Sequence, residues 1–263
     1  FLWNETDSTI TYQKKVYKFW KSRPLPADAI IKTGSFNEDS KGRWYINITF
    51  ESSKVMSNHP KPNRALVGID LGIKDLVTVS DGTKFHPANM TKKYQDKLSL
   101  AQQAKKKKLV TAINAKIKNS RKDYLHKLST EILTKYGDIA VGDISSQELI
   151  NKSVSSNLNK GIYDASWYFL KTLLEYKAIK LGSKVEIINE SYSTQTCNVC
   201  GSIEGPKGTS GLNVREWKCT SCHAKHDRDI NAAKNIKNVV WDKRYPTLIL
   251  EIRKQQAAFR LGY

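Results

Sequence analysis

Residues 66–72 read LVGIDLG, a short apolar strand that ends in the carboxylate of Asp70 and a glycine. Residues 76–82 read LVTVSDG and supply a second apolar strand followed by a turn, so the two segments predict a β-hairpin. Helical and extended patterns then alternate, with helices expected at 91–135, 163–181 and 229–240 and strands at 139–141 and 185–188. This alternation predicts an α/β fold.

The segment before this core has a different pattern. Residues 1–62 are predicted to be β-rich, with strands at 29–32 and 44–50 on either side of a turn-prone stretch. The sequence His59-Pro60-Lys61-Pro62-Asn63 can extend neither a helix nor a central strand, so a domain boundary is expected there. The chain begins Phe1-Leu2-Trp3-Asn4, without a start methionine or a signal pattern, and we therefore expect a piece of a longer, intracellular protein.

The composition excludes a membrane protein and points to a polyanionic partner. No apolar run approaches the roughly 20 residues that a membrane-spanning helix requires. The formal net charge is +19, which favours nucleic acid as the partner over a generally basic surface. Residues 91–140 hold thirteen Lys and Arg against four Asp and Glu, and they predict a basic helical pair with a hinge near Asn119-Ser120.

All four cysteines fall between Cys197 and Cys222. Two Cys-x2-Cys pairs, Cys197/Cys200 and Cys219/Cys222, are separated by eighteen residues, which is the spacing of a four-cysteine zinc ribbon. Disulfides or loose thiols are the alternatives. A closed four-thiolate site leaves no open coordination position for a substrate, so the Zn²⁺ is predicted to be structural.

Four motifs together resemble one protein family. They are GIDLGIKDLVTVSDG at 68–82, SRKDYLHKLST at 120–130, STQTCNVCG at 193–201 and HDRDINAAKNI at 226–236. In this order they resemble TnpB, the related Fanzor proteins and the type V CRISPR nucleases, over roughly residues 29–240.

The resemblance implies an RNA-guided DNA endonuclease that uses Mg²⁺, with a guide RNA and a double-stranded DNA target as partners. It implies an RNase H-like (RuvC) core over 63–193, a basic helical insertion at 91–136, a zinc-ribbon target-strand module at 194–225 and a closing helix and tail at 226–263. Residues 1–62 would then be the end of a wedge β-barrel, and most guide-binding parts would lie upstream.

Phosphodiester hydrolysis by two Mg²⁺ ions requires several carboxylates in one place. By resemblance the first is Asp70 and the last is Asp229. The family usually has a glutamate in a stretch like I-x-x-E-D-L, which matches residues 139–144 here, and Gly142 stands at the glutamate position.

Three accounts of the missing glutamate compete. Glu190 occupies a position to which the glutamate has moved in some relatives, and we favour it as the third metal ligand. Asp143 could fill the role by a one-residue slip, although neighbouring strand residues point to opposite faces. Alternatively, the site is inactive and the protein only binds DNA under RNA guidance.

Nucleic-acid contacts are expected from basic side chains, namely Lys105, Lys106, Lys107, Lys108, Arg121 and Arg228, with a solvated helix face as the alternative for the lysines and a solvated turn as the alternative for Arg228. Asp227 is a candidate helix cap. The aromatic residues Trp167, Trp217, Tyr192 and Tyr124 could stack on bases, but we expect them in the core. A recombinase or transposase is disfavoured because no nucleophilic Ser or Tyr stands in a recognisable setting.

Overall fold

The computed structural model describes residues 2–4, 6–22, 24–52, 65–144, 156–207 and 210–244. The boundary expected at 59–63, most of the loop after residue 144 and the tail after 244 lie outside the described residues. Within the described part, no helix has the length and apolar character needed to span a membrane.

The N-terminal segment consists of β-strands, as predicted. Strands β1 (Leu2–Asn4), β2 (Thr9–Tyr12) and β3 (Lys15–Lys18) form an antiparallel three-stranded sheet. Strands β4 (Ile30–Glu38) and β5 (Trp44–Glu51) form the expected antiparallel hairpin. Arg43 closes its turn by an ion pair with Asp39.

A five-stranded sheet forms the centre of the molecule. Its strands are β6 (Val67–Leu71), β7 (Val77–Val79), β8 (Lys84–Phe85), β9 (Ile139–Gly142) and β10 (Val185–Ile188), in the order β10-β9-β6-β7-β8. Strands β6, β7 and β8 form an antiparallel meander, whereas β9 lies parallel to both β6 and β10. The predicted β6–β7 hairpin and the mixed α/β class are confirmed.

Helices cover both faces of this sheet. They are α1 (Met90–Gln103), α2 (Lys107–Lys135), α3 (Ser156–Ala165), α4 (Trp167–Leu181) and α5 (Arg228–Arg244). Helices α2 and α4 bury the main core with Ile69 and Val141, while α5 packs on the opposite face with Ala140 and Ile188. The alternation of strand side chains therefore assigns each residue of β6, β9 and β10 to one of the two faces.

Helix α5 approaches strand β6 at backbone distance. A Cβ at Gly68 would lie 1.9 Å from the carbonyl oxygen of Ala233 and 2.7 Å from the amide nitrogen of Lys237. Ala232 and Ala233 are fully buried in this contact. The small residues of both elements thus bring the middle of α5 against the first residues of β6.

The structure corrects two helix boundaries. The basic helices break at Lys105 and not at Asn119-Ser120, because Lys105 takes a left-handed φ of 52°. The amide of Lys105 donates to the carbonyl of Gln102, and the amide of Lys106 donates to the carbonyl of Ala101, which ends helix α1. The helix expected at 163–181 is split into α3 and α4 by Ser166, which also has a left-handed φ, of 48°. Both stop positions lack the glycine that normally marks them.

Candidate functional site

Three carboxylates converge at the end of the sheet that α5 covers. Asp70 is the next-to-last residue of β6, Glu190 follows β10 by two residues, and Asp229 lies in the first turn of α5. The pKa of Asp70 is raised well above its ordinary value, first by burial, then by the negative charge of Asp229 and then by that of Glu190. The positive charge of Arg228 acts in the opposite direction. Asp229 and Glu190 therefore both act against the ionised form of Asp70.

Gly142 lies directly beneath the Glu190 side chain. A Cβ at this glycine would be 2.7 Å from Oε2 of Glu190 and 3.4 Å from its Cβ. Strand β9 pairs Gly142 with Ile188 of β10, so Glu190 bends back over the neighbouring strand. The volume that a side chain at position 142 would need is thus filled by the carboxylate of Glu190.

Asp143 belongs to the opposite face of the sheet. Its Oδ1 accepts a hydrogen bond of 2.5 Å from Nζ of Lys171, which lies on α4. The same ammonium group donates to the carbonyl of Ile144 at 3.3 Å. Burial raises the pKa of Glu190, with Asp143 adding to the increase and Lys171 acting against it.

Two basic residues hold the carboxylates at the start of α5. Arg215 pairs with Asp229, with Nη1 3.1 Å from Oδ2. Lys84 donates to Oδ2 of Asp227 at 2.7 Å. Oδ1 of Asp227 accepts the backbone N–H groups of Asp229 and Ile230, each at 3.0 Å, so the candidate cap does cap the helix.

The hydrogen bonds of Asp227 also determine its charge state. Burial alone would raise the pKa of this carboxyl group, but the bonds from Lys84 and from the amides of Ile230 and Asp229 outweigh it and lower the pKa. Asp227 is therefore an anion engaged by Lys84 and by the first amides of α5.

Four thiols lie together beside this site, and we call them the thiol cluster: Cys197, Cys200, Cys219 and Cys222. Their sulfur atoms all fall within 4.8 Å of one another, and all four cysteines are free thiols. This geometry excludes the disulfide alternative in this state and matches a site that could hold a metal ion.

Each cysteine pair occupies the same kind of turn. The amide of Gly201 bonds the carbonyl of Cys197, and the amide of His223 bonds that of Cys219, with left-handed φ values of 81° and 61° at the two turn ends. The second turn joins two short antiparallel strands, β11 (Glu216–Lys218) and β12 (Lys225–Asp227). These turns aim both sulfur pairs at one point.

Two asparagines of α5 attach the cysteine segment to the sheet. Asn231 and Asn235, one helical turn apart, both donate to the carbonyls of Ser193 and Thr196, while Oδ1 of Asn231 accepts the amide of Asn198 at 3.0 Å. Asn231 is almost fully buried. This attachment was not predicted from the sequence, although the four-residue spacing of the two asparagines places them on one helix face.

The expected nucleic-acid residues differ in their surroundings. Lys105–Lys108 are exposed at the turn between α1 and α2 and the start of α2. Arg121 instead pairs with Asp164 of α3 at 2.5 Å, and Asp164 also accepts the amide of Thr91 at the start of α1. Arg228 donates to the carbonyl of Gly211 at 3.2 Å.

Of the four aromatic residues expected in the core, Trp167 is fully buried, Tyr124 and Trp217 are half-buried and Tyr192 is exposed. Trp167 is fully buried and donates to the carbonyl of Gly72. The phenol of Tyr124 donates to the carbonyl of His86. Trp217 packs against His226, whereas Tyr192 is 62% exposed.

Comparison with known proteins agrees with these features. Residues 167–236 match the family described as “Cas12f1-like, TNB domain”, and residues 47–152 match the family described as “Probable transposase”. In fold, the chain resembles that of a Cas12f1–sgRNA–target DNA complex, with a TM-score of 0.50 and 17% identity over 76% of this chain and 54% of that one.

Several curated proteins are similar in sequence. A Streptomyces pristinaespiralis protein provisionally named an RNA-guided DNA endonuclease is 33% identical over 90% of this chain and 60% of its own length. A similarly named protein of Escherichia coli K12 is 31% identical over 75% of this chain and 54% of its own length, so the chain spans little more than half of these relatives. A TnpB-like protein of Methanocaldococcus jannaschii is 32% identical over 86% of this chain and 82% of its own length. The chain belongs to the TnpB-like family.

Proposed function

We propose that this chain is the catalytic part of an RNA-guided DNA endonuclease, with Asp70, Glu190 and Asp229 as the ligands of its catalytic Mg²⁺ ions. The observation that carries the proposal is the carboxylate of Glu190 in the gap left by Gly142, with the charges of Glu190 and Asp229 both acting on the buried Asp70. A buried carboxyl group whose pKa is raised by two neighbouring carboxylates, as that of Asp70 is, belongs to the kind of donor set that a hard divalent cation neutralises. When bound, such ions activate a water molecule and stabilise the leaving oxygen.

The protein's own groups have separate parts in this proposal. Asp227 and Lys84 fix the first turn of α5 and so orient Asp229, and Arg215 offsets the charge of Asp229 from the other side. The central sheet is then the RNase H-like core, residues 91–136 its basic insertion and residues 194–225 its target-strand module. Zn²⁺ in the thiol cluster would be structural, because four thiolates complete its tetrahedron.

The partners follow from the relatives and the charge. Proteins named as RNA-guided DNA endonucleases support a guide RNA and a double-stranded DNA target, and a net charge of +19 suits both. The exposed lysines at 105–108 are the contacts we propose for the phosphate backbone. Arg121 is a weaker candidate, since its guanidinium already joins α2 to α3.

A nuclease-inactive, RNA-guided DNA-binding protein is the second candidate. Gly142 favours it, because glycine cannot ligate a metal ion, and the carboxylate of Glu190 over that glycine argues against it. The experiment is cleavage of a labelled double-stranded target by the protein expressed with its guide RNA, in Mg²⁺, with EDTA and Asp70→Ala as controls. Metal-dependent cleavage that Asp70→Ala abolishes supports the nuclease, whereas RNA-dependent binding without cleavage supports the second candidate.

A further inference from the structure

His226 connects the thiol cluster to the carboxylate site. Its Nε2 lies 3.1 Å from Sγ of Cys197, and the residue is buried. A metal-bound cysteine is a thiolate and therefore accepts hydrogen bonds, so at this distance the ring acts as an N–H donor to sulfur. The four cysteines already provide a complete set of ligands, which leaves His226 outside the coordination sphere.

The hairpin holds the imidazole ring in this position. Strands β11 and β12 pair Trp217 with His226, and the two ring centroids are 4.6 Å apart. Side chains supported on a strand pair keep one orientation, because neighbouring rings restrict their rotamers. The ring is therefore positioned by the same hairpin that carries Cys219 and Cys222 in its turn.

The backbone after His226 leads directly to α5. The next residue, Asp227, caps this helix through the amides of Asp229 and Ile230. On the other strand of the hairpin, the carbonyl of Arg215 accepts the amide of Arg228 at 2.7 Å, and the Arg215 side chain pairs with Asp229. A displacement of the hairpin would thus move Asp229 through both strands.

We propose that His226 is a positioning residue that couples metal binding in the thiol cluster to the geometry of Asp229, through its hydrogen bond to Cys197 and the helix cap that follows it. Its consequence for cleavage rests on the proposed function, but the coupling does not. Metal in the cluster fixes Cys197, Cys197 fixes the ring of His226, and the ring fixes the start of α5.

The first test measures metal affinity with Co²⁺ as the probe. His226→Phe keeps a ring against Trp217 and removes the N–H donor, and we expect it to weaken Co²⁺ binding about 10- to 100-fold in competition with a chelator. The expected result also includes a shift of the thiolate-to-cobalt charge-transfer band. The control is His223→Asn at the neighbouring exposed histidine, since Asn tolerates the left-handed backbone there. Equal affinities and spectra in His226→Phe and the wild type would overturn the proposal.

The second test measures the coupling, first in the wild type and then in His226→Phe. Amide hydrogen exchange at Asp229 and Ile230 is compared between the metal-free and the Zn²⁺-loaded wild type, and we expect Zn²⁺ to slow it by at least tenfold. In His226→Phe saturated with Zn²⁺ most of this protection should be lost, while the buried amides of β6 keep theirs. If the amides of Asp229 and Ile230 exchange at the same rate with and without Zn²⁺ in the wild type, the coupling is contradicted. Neither readout requires nuclease activity, so an inactive protein leaves the coupling testable.

Discussion

Gly142 and Glu190 share one volume at the ends of two neighbouring strands. The carboxylate of Glu190 lies where a side chain at position 142 would begin, and both residues lie on the sheet face that α5 covers. Glycine at 142 thus leaves the space that the carboxylate of Glu190 occupies. Because successive side chains of a strand point to opposite faces, Asp143 lies on the other face of the sheet, where it pairs with Lys171.

Gly142→Ala is expected to lower the cleavage rate about 10- to 100-fold, since a displacement of a reacting group by about 1 Å has that effect. The added methyl group would meet Oε2 of Glu190 at 2.7 Å and displace it. Cleavage is measured under single-turnover conditions, with thermal unfolding as a check that the variant folds. A variant that folds and cleaves at the wild-type rate would show that Glu190 need not lie over Gly142.

Asp70 predicts the pH dependence of the metal-free protein. The pKa of Asp70 is 3.8 in the unfolded chain and is raised well above that value in the folded chain. At a pH between the unfolded and the folded pKa, the folded state therefore binds more protons than the unfolded state. Stability contributed by the protonated group is therefore fully present below pH 3.8 and is lost as pH rises through the folded pKa.

Asp70→Asn is accordingly expected to raise the Tm of the metal-free chain at pH 8 by about 2–6 °C. The difference in Tm between the variant and the wild type should become smaller towards pH 4. Mg²⁺ should raise the Tm of the wild type and leave that of the variant unchanged. Differential scanning calorimetry measures both, with Asp123→Asn at an exposed helical ion pair as the control. Parallel pH profiles for wild type and Asp70→Asn would contradict this account.

At the scale of elements, α5 organises the site by its contacts with the sheet, the hairpin and the cysteine segment. Gly68 has no side chain, so the backbone of α5 can pack directly on β6. Asp227 caps the first turn of α5, and Asn231 and Asn235 bind the carbonyl of Thr196, just before Cys197. The thiol cluster and the carboxylate site are therefore both attached to α5.

Gly68→Ala tests this packing. A Cβ cannot fit 1.9 Å from the Ala233 carbonyl, so α5 must move away from β6, and we expect a loss of at least about 3 kcal/mol in the free energy of unfolding. Gly182→Ala is the matched control, because it meets no atom within 4 Å and costs only about 1 kcal/mol for its left-handed backbone. Chemical denaturation compares the two, and equal losses would refute the close contact.

The elements also show how far the sequence could be interpreted. The strands β6, β7, β9 and β10 and the helix α5 follow from apolar runs and helical spacing, whereas their three carboxylates were assigned from the resemblance to a known family. The break at Lys105 and the split at Ser166 were not predictable, because non-glycine residues take left-handed conformations there. The pairs Arg215–Asp229 and Lys84–Asp227 depend on the tertiary fold, since no local pattern relates residues so far apart in the chain.

At the scale of the whole molecule, a strongly basic chain carries a small acidic site. The net charge is +19, yet the three carboxylates lie together at one end of the sheet. Basic surfaces attract nucleic acid in a salt-dependent manner, whereas the acidic site requires a cation before a phosphate can approach it. Binding and cleavage should therefore respond separately to salt and to divalent metal.

Lys106→Glu/Lys107→Glu is expected to weaken nucleic-acid binding and to reduce the slope of log K against log salt by about 0.7–0.9 for each phosphate that the variant no longer neutralises. The control is Lys180→Glu/Lys184→Glu, which makes the same charge change at the exposed end of α4 and the loop that follows it. Filter binding over a salt series measures the slopes. Identical slopes for the two double variants would assign the effect to net charge alone.

The central claim is that Glu190, and not Asp143, completes the metal site. The most direct test compares the Mg²⁺-dependent cleavage rates of Glu190→Gln and Asp143→Asn, both nearly isosteric, in the protein expressed with its guide RNA. We predict a loss of at least about 100-fold for Glu190→Gln, on the order of what one catalytic group contributes, and a change below about tenfold for Asp143→Asn. An unchanged rate in Glu190→Gln, or the larger loss in Asp143→Asn, would contradict the account.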